Sequence, residues 1–261
     1  MKKKLALVLS LVMVATFCLA GCGNDGAKEE KVYAVEGGSA GEAAAKENKW
    51  KTNSVSSQAD ALMEVKSGTS DAAIIDLLMA GAMIGEGTDY PNLKYTDKLT
   101  TEEYGVGCRK GSNLAAYINN FFAETYASGE MVNIAKTYGV QEAIVEQKTK
   151  SDEKIEGADV DYIKNKKTLI VGITEFEPMD YKDKNGEWIG FDADKAKLLA
   201  EKLGVEVKFV VIDWDTKAME LESKNIDVVW NGMTLTDEVK NAMECTNAYC
   251  NNAQVVVVPA E

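Results

Sequence analysis

Short β-branched runs alternate with segments of helical spacing along most of this chain, beginning with Val32-Tyr33-Ala34-Val35 and a helix over residues 41–46. Apolar residues at intervals of three and four predict a helix over 58–66. The unbroken run Asp71-Ala72-Ala73-Ile74-Ile75-Asp76 predicts a buried strand, and residues 77–84 a helix after it. Residues 113–127 and 130–138 read as two helices broken at Ser128-Gly129, the first with a core stripe of Leu114, Tyr117, Ile118, Phe121 and Phe122. More than half of residues 148–167 are charged and no apolar period survives there, which predicts a solvated linker or a loosely packed connection. The alternation then resumes with a strand at 168–173, a turn at 182–186, a helix over 192–203 stopped by Gly204, a strand at 205–212, a helix at 217–223 and a strand at 226–230. This order predicts the α/β class. The last apolar run, Gln254–Pro259, must find a partner sheet, because an exposed strand of that kind is a template for aggregation.

At the other end, Lys2, Lys3 and Lys4 precede an apolar run over residues 5–20 that finishes in Leu19-Ala20-Gly21-Cys22. The run falls short of the roughly 20 residues of a comfortable membrane span. Its basic, apolar and small-residue order predicts a secretory signal over residues 1–21, with 22–30 as a polar tether. The Leu-Ala-Gly-Cys ending resembles the lipobox of bacterial lipoproteins, which implies a lipid on Cys22 and an extracytoplasmic chain anchored to the cell membrane. The formal charge is −13, and three units more negative once residues 1–21 are removed, so nucleic acid is a poor partner. There is no histidine, which excludes Ser-His-Asp and Cys-His catalysis and histidine metal sites; no cofactor is expected. Beyond Cys22 the cysteines are odd in number, and Cys245 and Cys250 sit too far apart in an extended segment to bridge, so Cys108, Cys245 and Cys250 are expected as free thiols.

Several ordered motifs carry a family resemblance. Val171-Gly172, Phe176-Glu177-Pro178, Gly190-Phe191-Asp192-Ala193-Asp194 and Asn231-Gly232-Met233-Thr234-Leu235-Thr236-Asp237-Glu238 resemble the first part of the polar amino-acid-binding proteins of ABC importers. Gly38-Ser39, the run 61–68, Asp71 to Asp76, Glu103-Tyr104-Gly105-Val106-Gly107 and Arg109-Lys110-Gly111 resemble the second part. The order is reversed, so the resemblance implies a circularly permuted, two-lobed periplasmic-binding-protein-like fold of type II with two hinge crossings. One lobe would hold residues 31–103 plus 254–261, and the other residues 105–250 including the charged linker 148–167. The crossings are expected near Glu103-Tyr104 and near residues 249–253, with the terminal strand docked beside Tyr33. Termini near each other on a surface tolerate such a permutation.

The resemblance also implies a ligand site. Asp76, which ends a buried strand where an ionised carboxylate is costly unless paired, matches the family aspartate that holds an α-ammonium group; a helix cap is its other reading. Ser39 and Ala40, in the turn Gly37-Gly38-Ser39-Ala40-Gly41, offer a helix N-terminus to a carboxylate. Gly232 and Thr234 match a carbonyl and a hydroxyl of the family site, with Asn231 beside them; a strand-to-helix turn capped by Thr236 or Asp237 is the other reading. Phe176 and Trp214 match its aromatic walls, whereas Trp188, Trp230 and Tyr249 are read as core. Val239 stands where the family commonly has a carboxylate-binding arginine; the chain's single arginine, Arg109, is expected outside the pocket. Glu175 and Glu177 are expected near the mouth.

The function so implied is a lipid-anchored, monomeric substrate-binding protein that captures a polar amino acid or related small solute by lobe closure and delivers it to an ABC permease. Two alternatives are an enzyme on the same scaffold, of dehydratase or lyase type, and a sensor or interaction lipoprotein.

Overall fold

The computed structural model describes residues 30–148, 155 and 157–260. The predicted signal, tether and Cys22 therefore lie outside the described residues, except for Glu30. In chain order the elements are β1 (Val32–Glu36), α1 (Ala40–Glu47), β2 (Lys51–Val55), α2 (Gln58–Ser67), β3 (Ala72–Asp76), α3 (Leu77–Met83), β4 (Leu93–Lys98) and β5 (Glu102–Cys108). Then follow α4 (Leu114–Ala127), α5 (Glu130–Thr137), α6 (Ala158–Lys166), β6 (Thr168–Ile173), β7 (Tyr181–Lys182), β8 (Trp188–Ile189), α7 (Phe191–Leu203) and β9 (Glu206–Val211). The last are α8 (Lys217–Glu222), β10 (Val228–Thr234), α9 (Asp237–Ala242), β11 (Glu244–Cys245), β12 (Cys250–Asn252) and β13 (Gln254–Pro259).

Local chemistry sets the ends of these elements. Ser57 caps α2 by accepting from the Asp60 N–H, and Gly68, in the left-handed region, stops it. Gly204 stops α7 in the same way. β3 is buried at every residue and β10 at all but its last, which is why both read as unbroken apolar runs.

Two sheets share one strand order. The first runs β2-β1-β3-β13-β4, and the second β11-β5-β10-β6-β9, with β12 also paired to β5. β1 lies parallel to β2 and β3, while β13 runs antiparallel to β3 and β4. Likewise β6 lies parallel to β9 and β10, while β5 runs antiparallel to β10 and β11. In each sheet the antiparallel strand arrives directly from the other sheet.

Two connections join the sheets, residues 99–101 and Ala253, and they lie side by side. Leu99 N donates to Gln254 O at 2.8 Å and Gln254 N to Thr100 Oγ1 at 2.9 Å. The first lies earlier than the expected Glu103-Tyr104, because β5 begins its pairing at Glu102 opposite Asn252. The terminal strand does find a sheet, but not beside Tyr33. It pairs Val255–Val257 with Ile75–Ala73, so β3 stands between it and β1.

The charged stretch departs from expectation in part. Residues 158–166 form α6, whose Val160 and Ile163 are fully buried. Two apolar residues three apart suffice to seat a short helix when ion pairs fix its ends. Arg109 reaches Asp159 and Asp227 and donates to Ile226 O at 3.0 Å; Lys166 meets Asp227 at 2.6 Å. Cys108, Cys245 and Cys250 are free. Among the described residues no helix is long and apolar enough to cross a membrane.

Candidate ligand-binding site

Asp76 ends β3 at the point where the first sheet meets the cavity, and its carboxylate is gripped from four directions. Tyr104 Oη donates to Oδ1 at 2.7 Å and Gln254 Nε2 to the same atom at 3.0 Å. Asn252 Nδ2 donates to Oδ1 as well, and Gln58 Nε2 to Oδ2. Although Asp76 precedes α3, its side chain makes no capping bond; the first N–H groups of that helix go to Ala253 O and Asn252 Oδ1. Burial, then the charge of Glu102, push the Asp76 carboxyl up to about 7, against the pull of its donors.

Glu36, at the end of the neighbouring β1, is buried at the same level. Burial, then the charge of Asp76, raise its carboxyl to about 8, opposed by Thr174, Lys217 and Gln58. Its Oε1 has no hydrogen-bond partner among the described residues. Gln58 stands between the two acids, donating from Nε2 to Asp76 Oδ2 and accepting the Asp76 N–H at 2.8 Å.

The turn after β1 is less open than its glycines suggest. Ser39 Oγ accepts from Glu42 N at 3.1 Å, and Glu42 Oε2 accepts from Gly38 N at 3.0 Å, a reciprocal arrangement close to a capping box. Helix geometry leaves only Ala40 N and Gly41 N without an intrahelical partner. Although burial opposes its charge, Lys46 and the Gly38 N–H hold Glu42 below the usual carboxylate range. Gly38 has a φ of 68°, and a Cβ there would lie 2.8 Å from Asp215 Cα, so only glycine lets this turn meet the opposite wall.

The second sheet supplies that wall. β10 carries a register shift between Val229 and Met233, a bulge that turns the strand end toward the cavity. Gly232 makes it possible: its φ is 56°, and a Cβ would lie 2.5 Å from the Phe176 ring. Gly232 N donates to Asp192 Oδ2 at 2.8 Å. Asn231 spends its amide internally, accepting from Thr174 N and Oγ1 and donating to Thr174 O and Asp180 Oδ2. Thr234 Oγ1 donates to Glu102 Oε2 at 3.1 Å. From α8, Lys217 Nζ donates to Gly38 O and Trp214 O, both at 3.0 Å, tying one wall to the other.

These groups border one cavity of about 500 Å³, within the range of small-molecule sites. All eight expected site residues line it: Asp76, Ser39 and Ala40 from the first sheet's side, and Phe176, Trp214, Asn231, Gly232 and Thr234 from the second's. Val239 lines it too; Arg109, Glu175 and Glu177 do not. Glu36, Gln58 and Lys217 were not anticipated. Glu36 carries the same signal as Asp76, an acid ending an apolar strand just before a turn, whereas Gln58 and Lys217 sit in ordinary helical patterns.

Residues 169–261 match the family model of bacterial extracellular solute-binding proteins, family 3. The arginine-binding extracellular protein ArtP of Bacillus subtilis (strain 168) is 34% identical over 93 residues, 35% of this chain and 36% of that protein. A probable amino-acid ABC transporter-binding protein of Haemophilus influenzae is 34% identical over 103 residues, 39% of this chain and 40% of that one. Among solved structures, an ancestral cationic amino acid solute-binding protein is 44% identical, covering 32% of this chain and 37% of its own, with a TM-score of 0.31. The chain thus spans little more than a third of the length of the curated relatives it matches. Residues 169–261, which bring Phe176, Trp214, Gly232 and Thr234 to the cavity, are thus similar to the family-3 bacterial extracellular solute-binding proteins.

Proposed function

We propose that the protein is the solute-binding component of an ABC importer, capturing a small polar solute, an amino acid or a close relative, by closure of two lobes. The observation that carries this reading is a cavity bordered on opposite sides by polar groups from two sheets of the same strand order, joined only by two adjacent connections. Residues 31–98 with 254–260 form one lobe, residues 102–252 the other, and the two are the family's lobes in circularly permuted order. The connections at 99–101 and Ala253 serve as the hinge. Asp76, Ser39, Ala40, Phe176, Trp214, Asn231, Gly232 and Thr234 form the ligand site, Asn231 acting through Thr174 and Asp180. The arginine-binding and amino-acid-transporter relatives support the solute class. A lipid on Cys22 anchors the monomer outside the cell membrane, beside its permease.

Thermal melts of the purified protein against the twenty amino acids, short amines and small peptides test this. A ligand at about a hundred times its Kd adds about 2.7 kcal/mol to the native state, or about 5–10 °C for a chain of this size. We expect at least one compound to produce such a rise; a flat response to the whole set contradicts the assignment.

A further inference from the structure

Resting on the solute-binding reading, we infer that the cavity takes a small organic cation without a carboxylate, an aliphatic amine or guanidinium compound, and that Glu36 holds it. Glu36 lines the cavity at 3% exposure, and its Oε1 accepts no hydrogen bond among the described residues. A buried acceptor left unpaired costs about 1–3 kcal/mol. Thr174, Gln58 and Lys217 stand near Glu36 but none donates to Oε1, which leaves that atom open to a donor on a ligand. Asp76 lies across the Gln58 amide and adds a second negative centre on the same wall.

The lining is unbalanced in charge. It carries six acidic side chains, those of Glu36, Glu42, Asp76, Asp215, Asp237 and Glu238, against the two basic ones of Lys46 and Lys217, and even with Glu36 and Asp76 protonated acids outnumber bases four to two. Lys46 pairs with Glu42 at 3.0 Å, and Lys217 is spent on two backbone carbonyls. The one arginine is bound to Asp159 and Asp227, away from the cavity. A ligand carboxylate entering here meets net negative charge, and the Glu42 carboxylate already lies over the helix end that could receive it. A cation meets acids on one side and the rings of Phe176 and Trp214 on the other, with Lys217 Nζ 5.0 Å from the Trp214 ring centre.

Proton linkage gives the inference a second signature. Glu36 faces Asp76 on β3, Gln58 on α2, Thr174 beyond β6 and Lys217 on α8, and in the free protein it titrates at about 8. A bound cation favours its charged form, so binding below pH 8 expels a proton. Affinity then rises with pH by up to about tenfold per unit for each proton released. Asp76, at about 7, acts in the same direction.

Calorimetric titration of the purified protein with 1,4-diaminobutane, agmatine, lysine, arginine and glutamine, at pH 6.5 and 8.5, is the test. We expect agmatine or diaminobutane to bind at least tenfold more tightly than arginine or lysine, with tighter binding and less proton release at the higher pH. Glu36→Gln should weaken that binding at least tenfold and reduce its pH dependence, Asp76 carrying the remainder. If that variant fails to fold, the comparison of amines with their carboxylated counterparts on the unaltered protein still decides. Tighter binding of arginine, lysine or glutamine overturns the inference while leaving solute binding intact, as does unchanged amine binding by folded Glu36→Gln. Silence from all five probes overturns the inference, and solute binding falls with it only if the wider thermal panel is also flat.

Discussion

Lys195 lies inside the second half of the molecule, 1% exposed, with its Nζ 3.9 Å from the ring centre of Phe122 and 4.5 Å from that of Tyr249. It has no hydrogen-bond partner among the described residues. Burial pulls the ammonium well below the usual lysine range, against the attraction of Asp192. Between that lowered value and about 10.4 the unfolded chain binds more protons than the native one, so this residue makes stability rise with pH across the window. Lys195→Met should flatten that rise in melts between pH 7 and 10. An equally steep rise in the variant contradicts the account. The acids of the cavity act with the opposite sign. Glu36 and Asp76 titrate higher in the native state than in the unfolded chain, so stability falls as pH rises from about 4 through about 8. Glu36→Gln should reduce the fall in melting temperature between pH 5 and 8. Asp76 was legible because an acid closing an apolar strand needs an explanation. The missing cap bond and the four donors around it were not, since Tyr104, Asn252, Gln254 and Gln58 converge from distant parts of the chain.

At the scale of elements, β13 is the piece on which the first sheet depends. It fills the space between β3 and β4, and its Val255 and Val257 are fully buried. Val257→Asp should cost more than about 4 kcal/mol, in the range of the severest point substitutions, by placing an unpaired charge in the core. Deleting residues 254–261 should raise amide exchange in β3 and β4 far more than in β6 and β9; equal exchange in the two sheets contradicts this. β3, β10 and β13 were readable because buried parallel or central strands leave unbroken apolar runs. β2 and β4 were not, since Lys51-Thr52-Asn53-Ser54-Val55 and Leu93-Lys94-Tyr95-Thr96-Asp97-Lys98 are edge strands whose polar residues hide the period. α6 was missed for the same reason, its two buried residues being outnumbered by charges.

At the scale of the molecule, each sheet lends the other its antiparallel strand, so the two connections at 99–101 and Ala253 lie between units that cannot be separated without breaking both. That exchange lets the two halves face one cavity. The α/β class and the pairing of motifs from both halves were visible in the sequence; the sheet neighbours of β13 and the position of the first connection depended on register, which a run of valines does not specify. The most direct test of the whole account is a crystal structure grown with whichever compound raises the melting temperature most. The account predicts that compound between the carboxylates of Glu36 and Asp76 and the rings of Phe176 and Trp214, touching both halves; the compound bound elsewhere, with that cavity filled only by water, contradicts it.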